Sequence, residues 1–368
     1  MNNTSKIYIA GHLGLVGSAI TTVFKSKGYV NFIERSSQEL DLTNQAAVDA
    51  FFDAERPEYV VLAAAKVGGI IANSRYRAQF IYENLAIQNN VIHAAYKYGV
   101  KKLLFLGSTC IYPAQAPQPM KEDCLLTGVL EYTNEPYALA KIAGLKMCES
   151  YNLQYGTNFI AVMPTNLYGP NDNFDLEKSH VLPAIIRKTH LANCLMEDNW
   201  EAIRADFNRY PVEGVHGSSD KQDILSKLLK YGVRLQSGVA EVEIWGTGKP
   251  MREFLWSEDM ARACVYAMEH INFEDVKKIS LPTGSSEIRN CHINIGTGQE
   301  ISIKDLAHLV AKVIGFKGNI VFNEDKPDGT MRKLTDPSKL HALGWKHSVE
   351  IEEGMNLLYE WYLKNSII

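Results

Sequence analysis

The chain has 368 residues, 46% of them hydrophobic and 22% charged, with a formal net charge of −4. That is the composition of a globular protein of one large or two modest domains, and the mild negative charge gives no electrostatic basis for binding nucleic acid. No run reaches the roughly 18 apolar residues of a membrane span; the longest candidate, Tyr59–Ile71, is broken by Lys66 and Gly68-Gly69.

In chain order, Met1–Lys6 lacks the layout of a signal peptide and leads into a short apolar strand, Lys6–Ala10. The strand ends at Gly11-His-Leu-Gly14-Leu15-Val16-Gly17, and Ser18–Lys27 has helical spacing that stops at Gly28. Val30–Ile33 reads as a second strand, Asn44–Glu55 as a helix, Tyr59–Ala63 as a third strand and Tyr76–Tyr98 as a long helix closed by Gly99. Lys102–Leu106 is the fourth strand, Glu135–Tyr155 another long helix and Phe159–Met163 the fifth strand. Strands alternating with helices predict an α/β fold, a Rossmann-like doubly wound parallel sheet.

Beyond Pro170 the pattern loosens. Ser179–Thr189 reads as a helix, and Leu191–Leu235 as a polar segment with two short helices around the turn-rich Pro211–Asp220. Val242–Trp245 is a strand, Gly246–Pro250 a turn, Glu258–Ile271 an amphipathic helix, Asn272–Arg289 a polar loop and His292–Ile295 a strand. Ser302–Ile314 is a helix opened by Ser302 with Asp305 three residues on, a near capping box. Ile320–Phe322, a loop around Pro327–Thr330 and a helix at Glu350–Leu363 follow. The expected division is a dinucleotide-binding domain, residues 1–170 with 251–298 returning to it, and a smaller α+β domain, residues 171–250 and 299–368.

Three motifs carry chemistry. Gly11, Gly14 and Gly17 follow a strand and open a helix, which lets a pyrophosphate approach the helix N-terminus; Leu15 and Val16 lie in the same loop. Glu34 ends the second strand, where an acid holds a ribose 2′-hydroxyl and favours NAD. Arg35 beside it suits a 2′-phosphate instead, so the residues leave both cofactors open; Asp41 and Leu42 are expected near the adenine. Ser108 follows the carboxyl end of the fourth strand, where open α/β sheets bind ligands. Tyr137 and Lys141 share one helix face, and an ammonium there is expected to lower the phenol's pKa from about 10. Together, Ser108, Tyr137 and Lys141 suit an enzyme that moves hydride at a C–O centre. Read alone, Cys110 is a small buried hydrophobe and His180 a polar core residue. The six cysteines are scattered with no CxxC pair, which points away from a metal centre or disulfide framework and toward a reducing cytoplasm.

Longer stretches add to these. They are IAGHLGLVGSAI from Ile9, LAAAKVGGI from Leu62, LFLGSTCIYP from Leu104, NEPYALAKIAG from Asn134, MPTNLYGPNDNF from Met163, SHVLP from Ser179, WGTGKPMREFL from Trp245 and KPDGT from Lys326. In these the chain resembles the GDP-L-fucose synthases, bifunctional 3,5-epimerase/4-reductases of the extended short-chain dehydrogenase/reductase superfamily. The resemblance implies conversion of GDP-4-keto-6-deoxy-D-mannose to GDP-L-fucose with NADPH, in a cytoplasmic homodimer whose interface is formed by the two long helices. It implies that Ser108, Tyr137 and Lys141 serve the reduction, and that Cys110 and His180 are the base and acid of the epimerisations. Pro164, Thr165, Asn166 and Leu167 would line the nicotinamide side, with Lys141 and His180 also reaching the cofactor. Lys188, Trp245, Arg252 and Asp328 would hold the sugar nucleotide. The chain departs from the family at Leu13 and Ser37, where basic residues are often found. With Glu34 present, NADPH preference is then either weak or rests on Arg35. Trp256-Ser257 replaces a common His-Val, and Leu191–Leu235 is an insertion, read as a helical flap, added dimer surface or a neutral elaboration. Two rival readings remain: a reductase or epimerase/reductase for another GDP-4-keto hexose or heptose, and a non-catalytic dinucleotide-binding regulator, which the intact Ser108/Tyr137/Lys141 set argues against.

Overall fold

The computed structural model describes residues 1–281 and 286–366. The elements begin β1 Ile7–Ala10, α1 Leu15–Ser26, β2 Phe32–Ile33, α2 Gln45–Glu55, β3 Tyr59–Leu62, α3 Ile70–Arg75, α4 Arg77–Lys97 and β4 Lys102–Leu106. They continue α5 Glu135–Tyr155, β5 Phe159–Pro164, β6 Asn166–Tyr168, α6 Val181–Met196, α7 Trp200–Arg209, α8 Lys221–Lys230, β7 Val233–Gln236, β8 Val239–Trp245 and β9 Met251–Arg252. The remainder is β10 Phe254–Trp256, α9 Ser257–His270, α10 Phe273–Ser280, β11 His292–Ile295, β12 Ile301–Ser302, α11 Ile303–Ile314, β13 Asn319–Asn323, β14 Arg332–Lys333, α12 Ser338–Ala342 and α13 Ile351–Ser366. The chain divides into two compact units. The first comprises Met1–Leu167, Glu253–Gln299 and Leu334–Ser348, and the second Tyr168–Arg252, Glu300–Lys333 and Val349–Ile368.

In the first unit six strands form one sheet in the order β11-β5-β4-β3-β1-β2, with every pair parallel. Nearly every residue of β1, β3, β4, β5 and β11 is buried. That continuous apolar run marks a parallel sheet covered on both faces. One core layer joins Ile7, Ile9, Phe24, Val61, Leu104 and Met260, and the other joins Tyr8, Phe52, Val60, Leu103, Phe105 and Val91. The strands' polar ends therefore collect at two edges, and Gly11, Ser108 and Thr165 all follow or end strands on the carboxyl side.

Two expectations are corrected and one element is added. Leu334–Ser348, read as part of the second domain, belongs to the first unit: Met120 N–H donates to Leu334 O at 2.7 Å and Asp336 N–H to Met120 O at 2.9 Å. The expected loop Asn272–Arg289 contains α10, started by a reciprocal capping box between Asn272 and Asp275; its residues 282–285 lie outside the described residues. Ile70–Arg75 forms a short helix that periodicity did not reveal.

In the second unit, the insertion is woven into the fold. α6 runs on to Met196, and β7 pairs antiparallel with β8 in the sheet β13-β8-β7. α7 supplies Asp206, whose carboxylate meets the fully buried Arg187 of α6 at 2.8 Å. Arg187 also donates to Phe174 O at 3.0 Å and Tyr210 O at 2.6 Å, and the Tyr362 hydroxyl donates to the other oxygen of Asp206. Both charges are thus satisfied on all sides, which a buried ion pair requires. Within its unit the insertion braces α6 through the Asp206–Arg187 pair. Asp206→Asn leaves the guanidinium uncompensated and is expected to cost about 3–5 kcal/mol in urea unfolding. A wild-type midpoint for Asp206→Asn would dismiss the brace.

Candidate functional site

The glycine turn is shaped by close approach. Gly11 has φ 87°, and a Cβ on Gly17 would lie 2.1 Å from Gly11 O, so neither position accepts a side chain. Gly14 caps α1 with no side-chain hydrogen bond. The first amides of a 12-residue helix are therefore left to an outside acceptor, as a pyrophosphate requires. Leu15 and Val16 are half-buried at the helix start. Thr165 N–H donates to Ile295 O, whereas its buried hydroxyl has no partner in the protein. Asn166 donates to Glu253 O at 2.9 Å. An open helix N-terminus, a cradle without side chains and an orphaned hydroxyl together fit a dinucleotide.

At the β2 end, Glu34 lies 3.8 Å from Lys25. Arg35 reaches Glu55 at 2.7 Å and lies against the Phe51 ring. Asp41 accepts from the Thr43 amide and hydroxyl, and these bonds hold its pKa below the usual carboxylate range. The Leu42 carbonyl accepts from Asn90 at 2.9 Å.

Ser108 follows β4 and opens a single 3-10 turn, Thr109–Ile111. Ser108 and Cys110 are half-exposed, while Thr109, Ile111 and Tyr112 are buried. Ser108 Oγ accepts from Cys110 N–H at 3.4 Å, which leaves the hydroxyl proton available. Lys141 is buried, donates to Leu106 O at 2.7 Å and sits 5.7 Å from the Tyr137 ring. The structure thus gathers Tyr137 and Lys141 on α5 beside the β4 end. Their electrostatics differ from expectation. Burial, with a smaller contribution from the Cys110 charge, pushes the Tyr137 phenol up, and Lys141 does not offset it. Burial also pulls Lys141 down to about 8. The phenol is therefore protonated at neutral pH.

The second unit holds the remaining sequence-identified residues. His180 is the N-cap of α6, with no capping bond from its side chain. The residue is exposed, and partial desolvation together with the Lys333 charge holds its pKa below the ordinary value. Lys188 donates to Glu243 O at 3.2 Å, and burial lowers its pKa to about 8. Trp245 ends β8 at 60% exposure, with the Lys326 ammonium 5.3 Å from its ring. Arg252 donates to Thr330 O at 2.6 Å and Met251 O at 2.7 Å. Asp328 accepts from the Thr247 amide at 2.9 Å and hydroxyl at 2.7 Å, and Gly246 leaves room for it, since a Cβ there would meet its Oδ1 at 2.2 Å. Asp328 thus shapes the turn after Trp245.

Sequence reasoning missed Glu253. Fully buried, it accepts from the amides of Thr297, Gly298 and Thr335. A carboxylate directly before the apolar strand Phe254–Trp256 was the available signal. Among the described residues no cluster of three or more His, Cys, Asp or Glu is arranged to hold a metal, and no helix is long and apolar enough to cross a membrane.

A glycine cradle on a parallel sheet, with a serine after β4 and a tyrosine and lysine on α5, defines a dinucleotide-binding α/β protein of the reductase–epimerase class. The chain belongs to the NAD dependent epimerase/dehydratase family, whose model matches residues 7–205 and 210–281. It is 48% identical over 368 residues to putative GDP-L-fucose synthase 2 of Arabidopsis thaliana, covering 100% of this chain and 94% of the relative. It is 46% identical over 360 residues to the GDP-L-fucose synthase of Escherichia coli, covering 98% and 97%. Among solved structures, a GDP-6-OMe-4-keto-L-xylo-heptose reductase from Campylobacter jejuni is 47% identical, with TM-score 0.89 and 99% of both chains covered. A GDP-mannoheptose C4 reductase from the same organism, solved with NADP bound, is 45% identical, with TM-score 0.86 and 99% of both chains covered.

Arg35→Ala is expected to raise the dissociation constant for NADPH about tenfold and leave that for NADH nearly unchanged, by fluorescence titration. Equal values for the two cofactors in both proteins would remove Arg35 from 2′-phosphate recognition.

Proposed function

We propose that the chain converts GDP-4-keto-6-deoxy-D-mannose to GDP-L-fucose, epimerising C3 and C5 and then reducing the C4 ketone with NADPH. The observation that carries this reading is the turn after β4: the Cys110 charge acts on both Tyr137 and Lys141, and Ser108 caps the same turn two residues earlier. Full-length similarity to GDP-L-fucose synthases supports the substrate. The dinucleotide, when bound, supplies hydride to C4.

The protein's part is proton control. Ser108 donates a hydrogen bond to the C4 oxygen, which carries the charge when a proton leaves C3 or C5. Stabilising that oxygen serves both epimerisation and reduction. Cys110 takes the proton, as thiolate, and His180 is the partner acid. Its lowered pKa leaves it neutral at pH 7; it takes a proton from solvent and returns that proton to the opposite face of the carbon, while the Cys110 thiol releases its own to solvent. Tyr137, protonated because burial raises its pKa, gives its proton to the alkoxide formed at C4. Lys141, fixed to Leu106 O, keeps positive charge beside that phenol. Lys188, Trp245, Arg252 and Asp328 bind the sugar nucleotide in this reading, with the Arg252 fork suited to a pyrophosphate. A cytoplasmic homodimer is part of it; exposed Tyr82 on α4 and Leu139 and Leu153 on α5 support those helices as the interface.

A second reading has one specific support: the Campylobacter jejuni heptose reductases resemble this chain at 45% and 47% identity. In that case the substrate is a GDP-4-keto heptose.

Incubation with NADPH and GDP-4-keto-6-deoxy-D-mannose in D₂O, read by NMR, is expected to give GDP-L-fucose deuterated at C3 and C5. Cys110→Ser should suppress deuteration while NADPH binds normally. NADPH consumption without deuterium would mean a plain 4-reductase, and no turnover would favour the heptose. The Lys141 charge sets the pH dependence. The ammonium persists below its pKa of about 8 and is lost above it, so kcat at saturating NADPH is expected to fall as pH rises through about 8. A profile flat to about pH 10 would exclude a role for that charge.

A further inference from the structure

The turn that carries Ser108 and Cys110 is weakly held by its own backbone. Ile111 N–H to Ser108 O spans 3.3 Å and Tyr112 N–H to Thr109 O spans 3.4 Å, both longer than a good amide hydrogen bond. Its far end carries Tyr112, which is buried. The Tyr112 hydroxyl contacts Asn294 Oδ1 and lies 3.0 Å from His292 Nε2. The direction of each bond follows from the neighbours. Asn294 Nδ2 donates to Met120 O at 3.0 Å and Asp336 O at 3.3 Å, so its oxygen faces Tyr112 and accepts. Tyr112 therefore donates to Asn294 and accepts from His292 Nε2–H. Burial keeps His292 neutral, and its Nδ1, which has no partner, carries no proton in this tautomer. Asn294 N–H in turn donates to Glu122 at 3.0 Å. Lys339 lies 3.9 Å from Glu122 and donates to Asn290 O and His292 O, each at 3.0 Å. The hydroxyl is fully committed, as is the amide that receives it.

Ser108 and Cys110 differ in how much they depend on this anchor. Ser108 directly follows Gly107, whose N–H continues the strand ladder to Val162 O at 2.8 Å. Cys110 lies two residues further on, next to the anchored end. We propose that Tyr112 is a positioning residue for epimerisation: through Asn294 and His292 it fixes the turn, and with it the aim of the Cys110 thiol. This rests on the epimerase/reductase reading. Proton removal by a fixed base is sensitive to shifts of about 1 Å, while hydride transfer leans on Ser108, Tyr137 and Lys141.

The test compares two rates in wild type and Tyr112→Phe. One is deuterium exchange into GDP-4-keto-6-deoxy-D-mannose, and the other is oxidation of GDP-L-fucose by NADP, which needs no epimerisation. Exchange is expected to fall about 10- to 100-fold and oxidation by less than about threefold. A proportional fall in both, as from a smaller folded fraction, would overturn the proposal, as would no change. Should Tyr112→Phe fail to fold, His292→Leu keeps the Tyr112–Asn294 bond and is read the same way. If wild type exchanges no deuterium, the epimerase reading has failed. The anchor is then judged by the iodoacetamide alkylation rate of Cys110, followed by peptide mass spectrometry. A change of about tenfold in Tyr112→Phe sustains the positioning role, and an unchanged rate overturns it.

Discussion

Burial of the parallel sheet on both faces is the constraint from which the first unit follows. Each strand must be almost wholly apolar, and each chain reversal must occur at an edge. The polar residues that begin and end the strands therefore lie at its two edges, and the glycine turn, Ser108 and Thr165 fall at the carboxyl one. Gly11, Ser108 and Thr165 stand there because β1, β4 and β5 end there. The close approach of Gly17 to Gly11 O then leaves the α1 N-terminus open to an anionic ligand.

Buried charge is the second organising feature, and each instance is compensated within its own unit. Glu253 gathers three backbone amides, Arg187 is matched by Asp206, and Lys141 rests on the Leu106 carbonyl. Removing a charge from water is costly unless such partners are present. These residues consequently fix the backbone around them: Glu253 ties the Thr297-Gly298 turn to Thr335, and Arg187 ties α6 to α7.

The same dryness sets the proton chemistry. The Tyr137–Lys141 spacing suggested a phenol made more acidic by the ammonium. In the fold, desolvation outweighs that attraction and each group is driven toward its neutral form. A neutral phenol is the proton donor that reduction of a ketone needs, so the departure agrees with the proposed direction of reaction.

The sequence by itself determined most of the alternation of strands and helices through Tyr155, the glycine turn, the place of Ser108 after β4 and the place of Tyr137 and Lys141 on one helix, because these depend on local periodicity and fixed spacing. It also yielded the family, since the long motifs retain their residue types. Tertiary structure alone decided the rest. The return of Leu334–Ser348 to the first unit depends on hydrogen bonds to Met120 and Glu253, residues far away in the chain. The insertion's part in bracing α6 depends on Asp206 meeting Arg187. The anchoring of the Cys110 turn depends on Tyr112 reaching β11. In each case the informative quantity is which buried polar groups meet across long sequence separations, and neither periodicity nor composition encodes that pairing.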